Sequence, residues 1–348
     1  MLSARSVLGA LDRGKYTVYQ VGITHEGSWL SGEDVLGGFE RRDHKSLRPV
    51  TIFSESGQTG LYARGNSGAL EQITPLDLAF PVLHGSFGED GAIQGLFEMI
   101  GLPYVGAGVL ASAVAMDKAV FKEVMRSRGI PVLEWLVLNT TEMEPDLDRA
   151  LERAESVAGY PLFIKPANLG SSVGISKVRS RSDLIEGLMD AAQYDRRVLV
   201  ERGIEAREIE VSVLGNEEPE ASLPGEIIPS DEFYSYRAKY LDHRSKLHIP
   251  APIDEQTTEQ ARRIAIEAYQ AIDGAGMARV DMLLDKATGR LYMNEINTIP
   301  GFTRISMYPK LWEAWGISYP ELMDRLIELA QSRHAQKQKL VRSYEGAA

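Results

Sequence analysis

The sequence predicts a mixed α/β and α+β fold in three units, 1–107, 108–198 and 199–348. Three observations carry that expectation. In the first unit strand-like runs alternate with a helix-like run, the pattern of a parallel sheet with helices on its faces. In the second, a strand ending in lysine runs into a small, Gly- and Ser-rich loop. Near the end, Ala278 to Gly301 reads as an apolar β-hairpin interrupted by three oxygen-bearing side chains.

Composition narrows the function classes. With 44% hydrophobic and 25% charged residues among 348, the chain has the ordinary balance of a globular protein and is long enough for two or three domains. A net charge of -11, with no basic run except a short polar tail after Arg333, argues against a nucleic-acid surface. No cysteine is present, so disulfides and thiolate chemistry are excluded, and a reducing cytoplasm is the default location. No apolar run approaches the roughly 20 residues of a membrane-spanning helix, and no signal-peptide pattern opens the chain.

Taken in order, Leu2, Val7, Leu8 and Leu11 fall at helical spacing and end near Gly14. Strands are expected at Tyr16–Ile23, Val50–Phe53 and Leu78–Leu83, and a helix at Ile93–Ile100 stopped by Gly101. The opening helix has no strand to cross over from, which is unusual for such a sheet. Between the third strand and the helix lies His84-Gly85-Ser86-Phe87-Gly88-Glu89-Asp90-Gly91. A polar, Gly-rich turn at the carboxyl end of a strand suits a ligand crevice, although the glycines could equally serve the turn and His84 pack locally.

The second unit opens with a helix expected over Ala111–Arg128, closed by Gly129 and Pro131. It contains Lys118, which local sequence marks only as a solvated helical lysine. A strand at Val132–Leu138 and a helix at Asp146–Ala158 precede Pro161–Pro166, where Lys165 ends an apolar strand and suggests an anionic partner. The loop Asn168 to Gly174 follows, with backbone N–H groups and hydroxyls that can wrap phosphate. It is not a P-loop, since it lacks the Gly-Lys-Ser/Thr ending and the helix that should follow.

The third unit begins near Val198. Strands are expected at Arg197–Arg202, Arg207–Leu214 and Ala221–Ile228, with Glu201, Glu208 and Glu210 either functional or simply on a wet face. The polar and aromatic stretch 229–246, with Tyr234, Tyr236, Lys239 and Tyr240, is long enough to be a lid. A helix over Glu255–Ile272 leads to the hairpin, and Ser318-x-x-Glu321 reads as a capping box for a last helix reaching about Ala335, before a frayed end. Pairing Leu284 with Tyr292 would set Asp281 opposite Glu295, their Cβ atoms roughly 5 Å apart, with Asn297 on the same face. Acids at strand ends are often solvated, or paired with a neighbour such as Arg279. Here the apolar flanks on both faces favour a covered site. Two carboxylates and an amide oxygen then suit Mg²⁺ or Mn²⁺ better than Zn²⁺.

Jointly these motifs resemble the D-alanine–D-alanine ligases of the ATP-grasp superfamily over essentially the whole chain. The resemblance rests on His84-Gly85-x-x-Gly88-Glu89-Asp90-Gly91, Ala115-Met116-Asp117-Lys118 and Ile164-Lys165-Pro166 with Gly170-Ser171-Ser172-Val173-Gly174. It rests equally on Tyr236-x-x-Lys239-Tyr240, Arg279-Val280-Asp281 and Glu295-Ile296-Asn297-Thr298-x-Pro300-Gly301. It implies a three-domain ATP-grasp architecture whose N-terminal parallel α/β domain lacks its first strand. It implies ATP between the second and third units, with Lys118, Lys165 and the closing Ser171–Ser172 loop on its phosphates and Lys239 beside them. Glu201, Arg202 and the backbone near Ile204 would hold adenine, and Glu208 the ribose. Asp281, Glu295 and Asn297 would bind two Mg²⁺ or Mn²⁺ ions, and a monovalent cation is a further candidate. Arg279 and the Gly301 N–H would stabilise an oxyanion, Ser171 and Tyr240 would serve the reaction, and the 229–246 loop would exclude water. His84 would lie by the first D-alanine, and Ser306 and Met307 would hold the second. Relatives are commonly homodimers through the first unit; no nucleic acid or membrane partner is implied.

In the family a strand and a Gly-rich turn carrying a glutamate precede the opening helix, and here they are absent. The expectation is a chain that starts late, by truncation or a misplaced start codon, about 20 residues short for a strand and turn of typical length. Such a chain should fold poorly in its first unit and ligate weakly. Arg202, where many relatives have lysine, would leave a backbone contact to adenine unaffected. Three rival readings share most of these motifs. One is a ligase that uses D-lactate or D-serine as second substrate; Tyr240, which in the family marks an amine-bearing second substrate, argues against D-lactate. Another is a nucleotide-binding chain without catalysis. The last is a different ATP-dependent carboxylate–amine ligase, which would lack the His84 and Tyr236–Tyr240 motifs.

Overall fold

A computed structural model describes residues 1–55, 57–65, 68–170, 173–228 and 246–341. In the first unit, α1 (Leu2–Ala10) precedes β1 (Val21–Ile23), β2 (Trp29–Ser31), α2 (Val35–Arg41), β3 (Arg48–Glu55), β4 (Gln58–Arg64), β5 (Leu70–Pro75) and α3 (Ala92–Met99). The five strands form one sheet in chain order with antiparallel neighbours. This differs from the parallel ladder that strand–helix alternation suggested. The expected strand Leu78–Leu83 makes only an isolated parallel bridge, Ala79 to Tyr104. Pro81 explains why the ladder stops there, since it has no N–H to donate. β4 and β5 escaped the sequence reading because both are short on large apolar residues, and β5 is largely exposed.

The second unit comprises α4 (Val109–Met116), α5 (Lys118–Ser127), β6 (Trp135–Asn139), α6 (Thr140–Met143), α7 (Leu147–Glu155), β7 (Leu162–Pro166), β8 (Ser176–Val178), α8 (Arg181–Ala191) and β9 (Arg197–Arg202). Its sheet runs β6-β9-β7-β8, antiparallel throughout. Where the sequence suggested one helix over Ala111–Arg128, Asp117 breaks it. Its extended backbone ends α4, and its carboxylate accepts from Val120 N at 3.0 Å to cap α5. Capping by aspartate satisfies an N–H that the helix start would otherwise leave without a partner.

The third unit contains β10 (Ala206–Leu214), β11 (Glu220–Ala221), β12 (Gly225–Ile228), β13 (Lys246–His248), α9 (Glu255–Ala271), β14 (Met277–Asp285), β15 (Leu291–Asn297), α10 (Met307–Trp315) and α11 (Tyr319–Gln338). The sheet order is β13-β12-β10-β14-β15, with β11 paired to β10. Residues on β10, β14 and β15 bury one face against α9, and Ala111, Ala115, Phe121 and Met125 of α4 and α5 join the same core. The capping box is present, Ser318 Oγ accepting from Glu321 N at 3.4 Å.

The ends of the described chain meet. Val7 packs into the core built by α10 and α11, Lys15 pairs with Asp324 at 2.5 Å, and Tyr16 donates to the same carboxylate at 2.9 Å. Further along α11, Arg333 donates to the Gly106 and Tyr104 carbonyls and lies 4.4 Å from the Tyr104 ring centre. Among the described residues no helix is long and apolar enough to cross a membrane.

Adjacent positions on α8 test this packing. Leu188 is fully buried in the second unit's core, whereas Met189 is 57% exposed. Leu188→Ala is expected to cost about 2–5 kcal/mol in denaturant unfolding. Met189→Ala should stay within about 0.5 kcal/mol of the unmodified protein.

Candidate active site

The hairpin delivers its polar face as the sequence suggested. Asp281 is opposite Glu295, and Arg279 opposite Asn297. A bulge between Asp281 and Met282 then shifts the register, so Leu284 pairs with Leu291 and Tyr292 with Leu283, one residue from the simple expectation. Bulges let a strand re-aim side chains without losing its ladder.

Arg279 organises this face. Its Nε and Nη2 donate to the two Asp281 oxygens at 2.7 and 2.6 Å, and Nε lies 3.1 Å from Glu210 on the neighbouring β10. Asn297 Nδ2 donates to Asp281 at 3.0 Å. Burial works against the guanidinium charge, yet Asp281 and Glu210 outweigh it and hold Arg279 protonated well above the ordinary arginine value. The donor set, two carboxylates and an amide, is the hard oxygen chemistry that Mg²⁺ or Mn²⁺ takes. Among the described residues no trio of His, Cys, Asp or Glu forms a metal cluster, so a divalent site here depends on Asn297 as third ligand.

A cleft of about 380 Å³ lies between the second and third units, lined by Lys118, Lys165, Ile204, Glu208, Asp281 and Glu295 among others. The helix break at Asp117 makes Lys118 the first residue of α5. There its N–H donates to Ala167 O at 2.8 Å and its ammonium to Leu169 O, so it is half-buried rather than solvated. Lys165 projects from β7 and donates to Glu201 on β9 at 2.7 Å. The second Glu201 oxygen is 2.5 Å from Lys122, one turn along α5 from Lys118. Burial opposes ionisation of Glu201, but Lys122 and Lys165 bring its carboxyl down to about 2. Glu201 thus turns its carboxylate to two lysines. Arg202 stands on the same lining, 3.3 Å from Glu134. Sequence reasoning passed over Lys122; its one signal was the four-residue offset from Lys118, which puts both on one helix face.

The remaining candidates gather beyond the hairpin. His84 Nδ1 is 2.9 Å from Ile299 O, and Nε2 is 2.9 Å from Ser3 Oγ. Glu89 accepts from Gly85 N at 2.6 Å and from Ile299 N at 3.1 Å, tying the His84–Gly91 turn to the loop after β15. Ser306 precedes α10, and its Oγ accepts from Thr303 N at 3.0 Å, leaving Met307 as the first helical residue. A Cβ on Gly301 would come within 2.9 Å of Ser306 Oγ, so this turn is closed to larger residues. A Cβ on Gly170 would lie 3.7 Å from Gly85 Cα, which brings the Gly-rich loop to the first unit's turn. Ser171, Ser172, Tyr236, Lys239 and Tyr240 lie outside the described residues.

The family described as "D-ala D-ala ligase N-terminus" matches residues 1–107, and "D-ala D-ala ligase C-terminus" matches 124–328. The chain belongs to the D-alanine–D-alanine ligase family. The ligase of Thermoanaerobacter sp. (strain X514) is 50% identical over 341 residues, covering 97% of this chain and 93% of that one. The Heliobacterium modesticaldum ligase is 48% identical over 339 residues, covering 97% and 92%. Among solved structures, the D-alanine-D-alanine ligase from Coxiella burnetii superposes with a TM-score of 0.82 at 38% identity, covering 99% of this chain and 92% of that one. VanG D-Ala:D-Ser ligase from Enterococcus faecalis gives 0.82 at 34%, covering 94% of each. The architecture is therefore the ATP-grasp fold of the ligase family.

Glu89 provides a pH test of the loop junction. Burial raises its carboxyl from the ordinary 4.5 to about 7, against the pull of the Gly85 and Ile299 N–H groups. A raised value means that its contribution to stability is fully present below pH 4.5 and is lost as pH rises through about 7. The stability of the unmodified protein relative to Glu89→Gln should therefore fall from about pH 5 to about pH 8 in parallel urea titrations. A flat difference would refute the shift.

Proposed function

We propose that this protein joins two D-alanine molecules into D-alanyl-D-alanine, with ATP as the phosphoryl donor. The observation that carries the reading is one cleft with lysines on one wall and the carboxylate hairpin on the other, in a chain matched by both ligase family descriptions. In this reading the first D-alanine carboxylate takes the γ-phosphoryl group of ATP. The amine of the second displaces phosphate, forming the peptide bond with release of ADP, phosphate and a proton.

The chain's own groups divide the work. Lys118 and Lys165 face the phosphates, Glu208 takes the ribose, and Ile204 and Arg202 present backbone to the adenine. Ser171, Ser172, Lys239 and Tyr240 keep the roles that the resemblance implies. Asp281, Glu295 and Asn297 would hold two Mg²⁺ or Mn²⁺ ions, which when bound offset the phosphate charge. Arg279, held by Asp281 and Glu210, would stabilise the tetrahedral oxyanion together with the Gly301 N–H. Ser306 and the Met307 N–H, at the start of α10, suit the carboxylate of the second substrate. His84, fixed through both ring nitrogens, borders the first. The same reading takes the protein as cytoplasmic and as a homodimer through its first unit.

Phosphate release from Mg-ATP should require D-alanine, and mass spectrometry should find the dipeptide in preference to products with D-serine or D-lactate. ATP binding without D-alanine-dependent release would overturn the reading. Asn297→Ala should lower turnover at least on the order of 100-fold, the scale seen when support for a metal site is removed. Its melting temperature should shift by no more than about 4 °C.

A further inference from the structure

The buried trio Lys122, Glu201 and Lys165 contains one group that the proposed chemistry does not use. Lys122 is 3% exposed and Glu201 2%, whereas Lys165, at 12%, is the member nearest solvent. Strand pairing explains the placement. Phe163 on β7 is opposite Glu201 on β9, so Lys165, two residues on, is a diagonal neighbour on the same face. Trp135 on β6 is also opposite Glu201, and its ring lies 5.5 Å from the Lys122 ammonium, covering the trio from behind. One carboxylate is thus shared by two ammonium groups that both line the cleft, Lys122 the more deeply buried and Lys165 the nearer to solvent.

We infer that Lys122 is a positioning residue for nucleotide: by holding one oxygen of Glu201, it leaves Lys165 with positive charge directed at a polyphosphate in the cleft. Charge counting gives the reason. Glu201 and Lys165 alone form a neutral pair, which would offer an anion little. With Lys122 the trio carries one net positive charge in surroundings that screen it weakly. Burial pulls Lys122 below the ordinary lysine value, and the shared carboxylate recovers only part of that cost. Lys122 also contributes to the cleft lining, but its ammonium is turned to Glu201, so the effect argued here runs through Glu201 and Lys165. The inference rests on the reading of the cleft as the ATP site.

Three variants test it by calorimetric binding of Mg-ATP and Mg-ADP and by steady-state kinetics. Lys122→Met should weaken nucleotide binding and raise the KM for ATP on the order of tenfold, the effect of one charge at short range. The KM for D-alanine should change by less than about twofold. Lys122→Arg should retain most of the affinity. The decisive protein is the double variant Lys122→Met/Glu201→Gln, which restores one net positive charge through Lys165. It should bind nucleotide within about threefold of the unmodified protein, and removing a buried ion pair jointly should leave the fold intact. Unchanged nucleotide affinity in Lys122→Met would overturn the inference. So would a double variant that binds no better than the single one, because the lysine would then matter only for packing. Failure of the functional reading is separable, since the unmodified protein itself would then show no nucleotide binding or no D-alanine-dependent turnover.

Discussion

The site is arranged around one buried guanidinium. Arg279 stands at the centre of a three-strand overlap in which β10, β14 and β15 bring Glu210, Asp281 and Asn297 within reach of one another. Removing one member of such a group leaves a buried charge without its counter-charge, which is far more costly than any single hydrogen bond. The strands can adopt one register only, because a slip by one residue would turn the acids into the core and Val280 and Met282 out of it. That constraint makes the apolar residues of the hairpin as necessary to the chemistry as its polar ones.

How much was legible in the sequence depended on how local the deciding contact was. The hairpin could be read because alternation, turn and partner lie within Met277–Asn297, and Asp281 does stand opposite Glu295. Lys165 showed itself by ending an apolar strand. Lys118 did not, because what removes it from solvent is the Asp117 break and the carbonyls of Ala167 and Leu169, some 50 residues away in sequence. Lys122 is hidden for the same reason, since its partner Glu201 comes from a different strand. The first unit was the least readable. Its β4 offers only Leu61 and Ala63 as an apolar alternation and β5 is largely exposed, while the apolar run at Leu78–Leu83, which looked like a central strand, has Pro81 in its middle. The resemblance supplied roles that local pattern could not, and the structure adds that the Glu201 carboxylate meets two lysines.

Two junctions connect the units around the cleft. The His84–Gly91 turn is fixed to the loop after the hairpin through His84 and Glu89, both meeting backbone atoms of Ile299. On the other side α4 and α5 bury their apolar residues in the third unit's core while α5 presents Lys118 and Lys122 to the second unit's sheet. A helix that belongs to two neighbours in this way transmits position between them. Lys118, Lys122 and the carboxylate hairpin are therefore placed by the same packed core rather than by separate loops.

The meeting of α1 with α11 has a consequence for how the molecule is made. Val7 finds its core, and Lys15 and Tyr16 their shared acid, on a helix that the ribosome delivers some 300 residues later. Contacts so distant in sequence close slowly, because the loop entropy is lost before the packing is gained. During synthesis α1 can share its core with Val105 and Phe80 of the first unit, but that core is completed only when residues around Asp324 and Arg333 have emerged. The earliest helix of this chain is thus among the last to be secured, and chaperone engagement or cleavage by proteases would concentrate there.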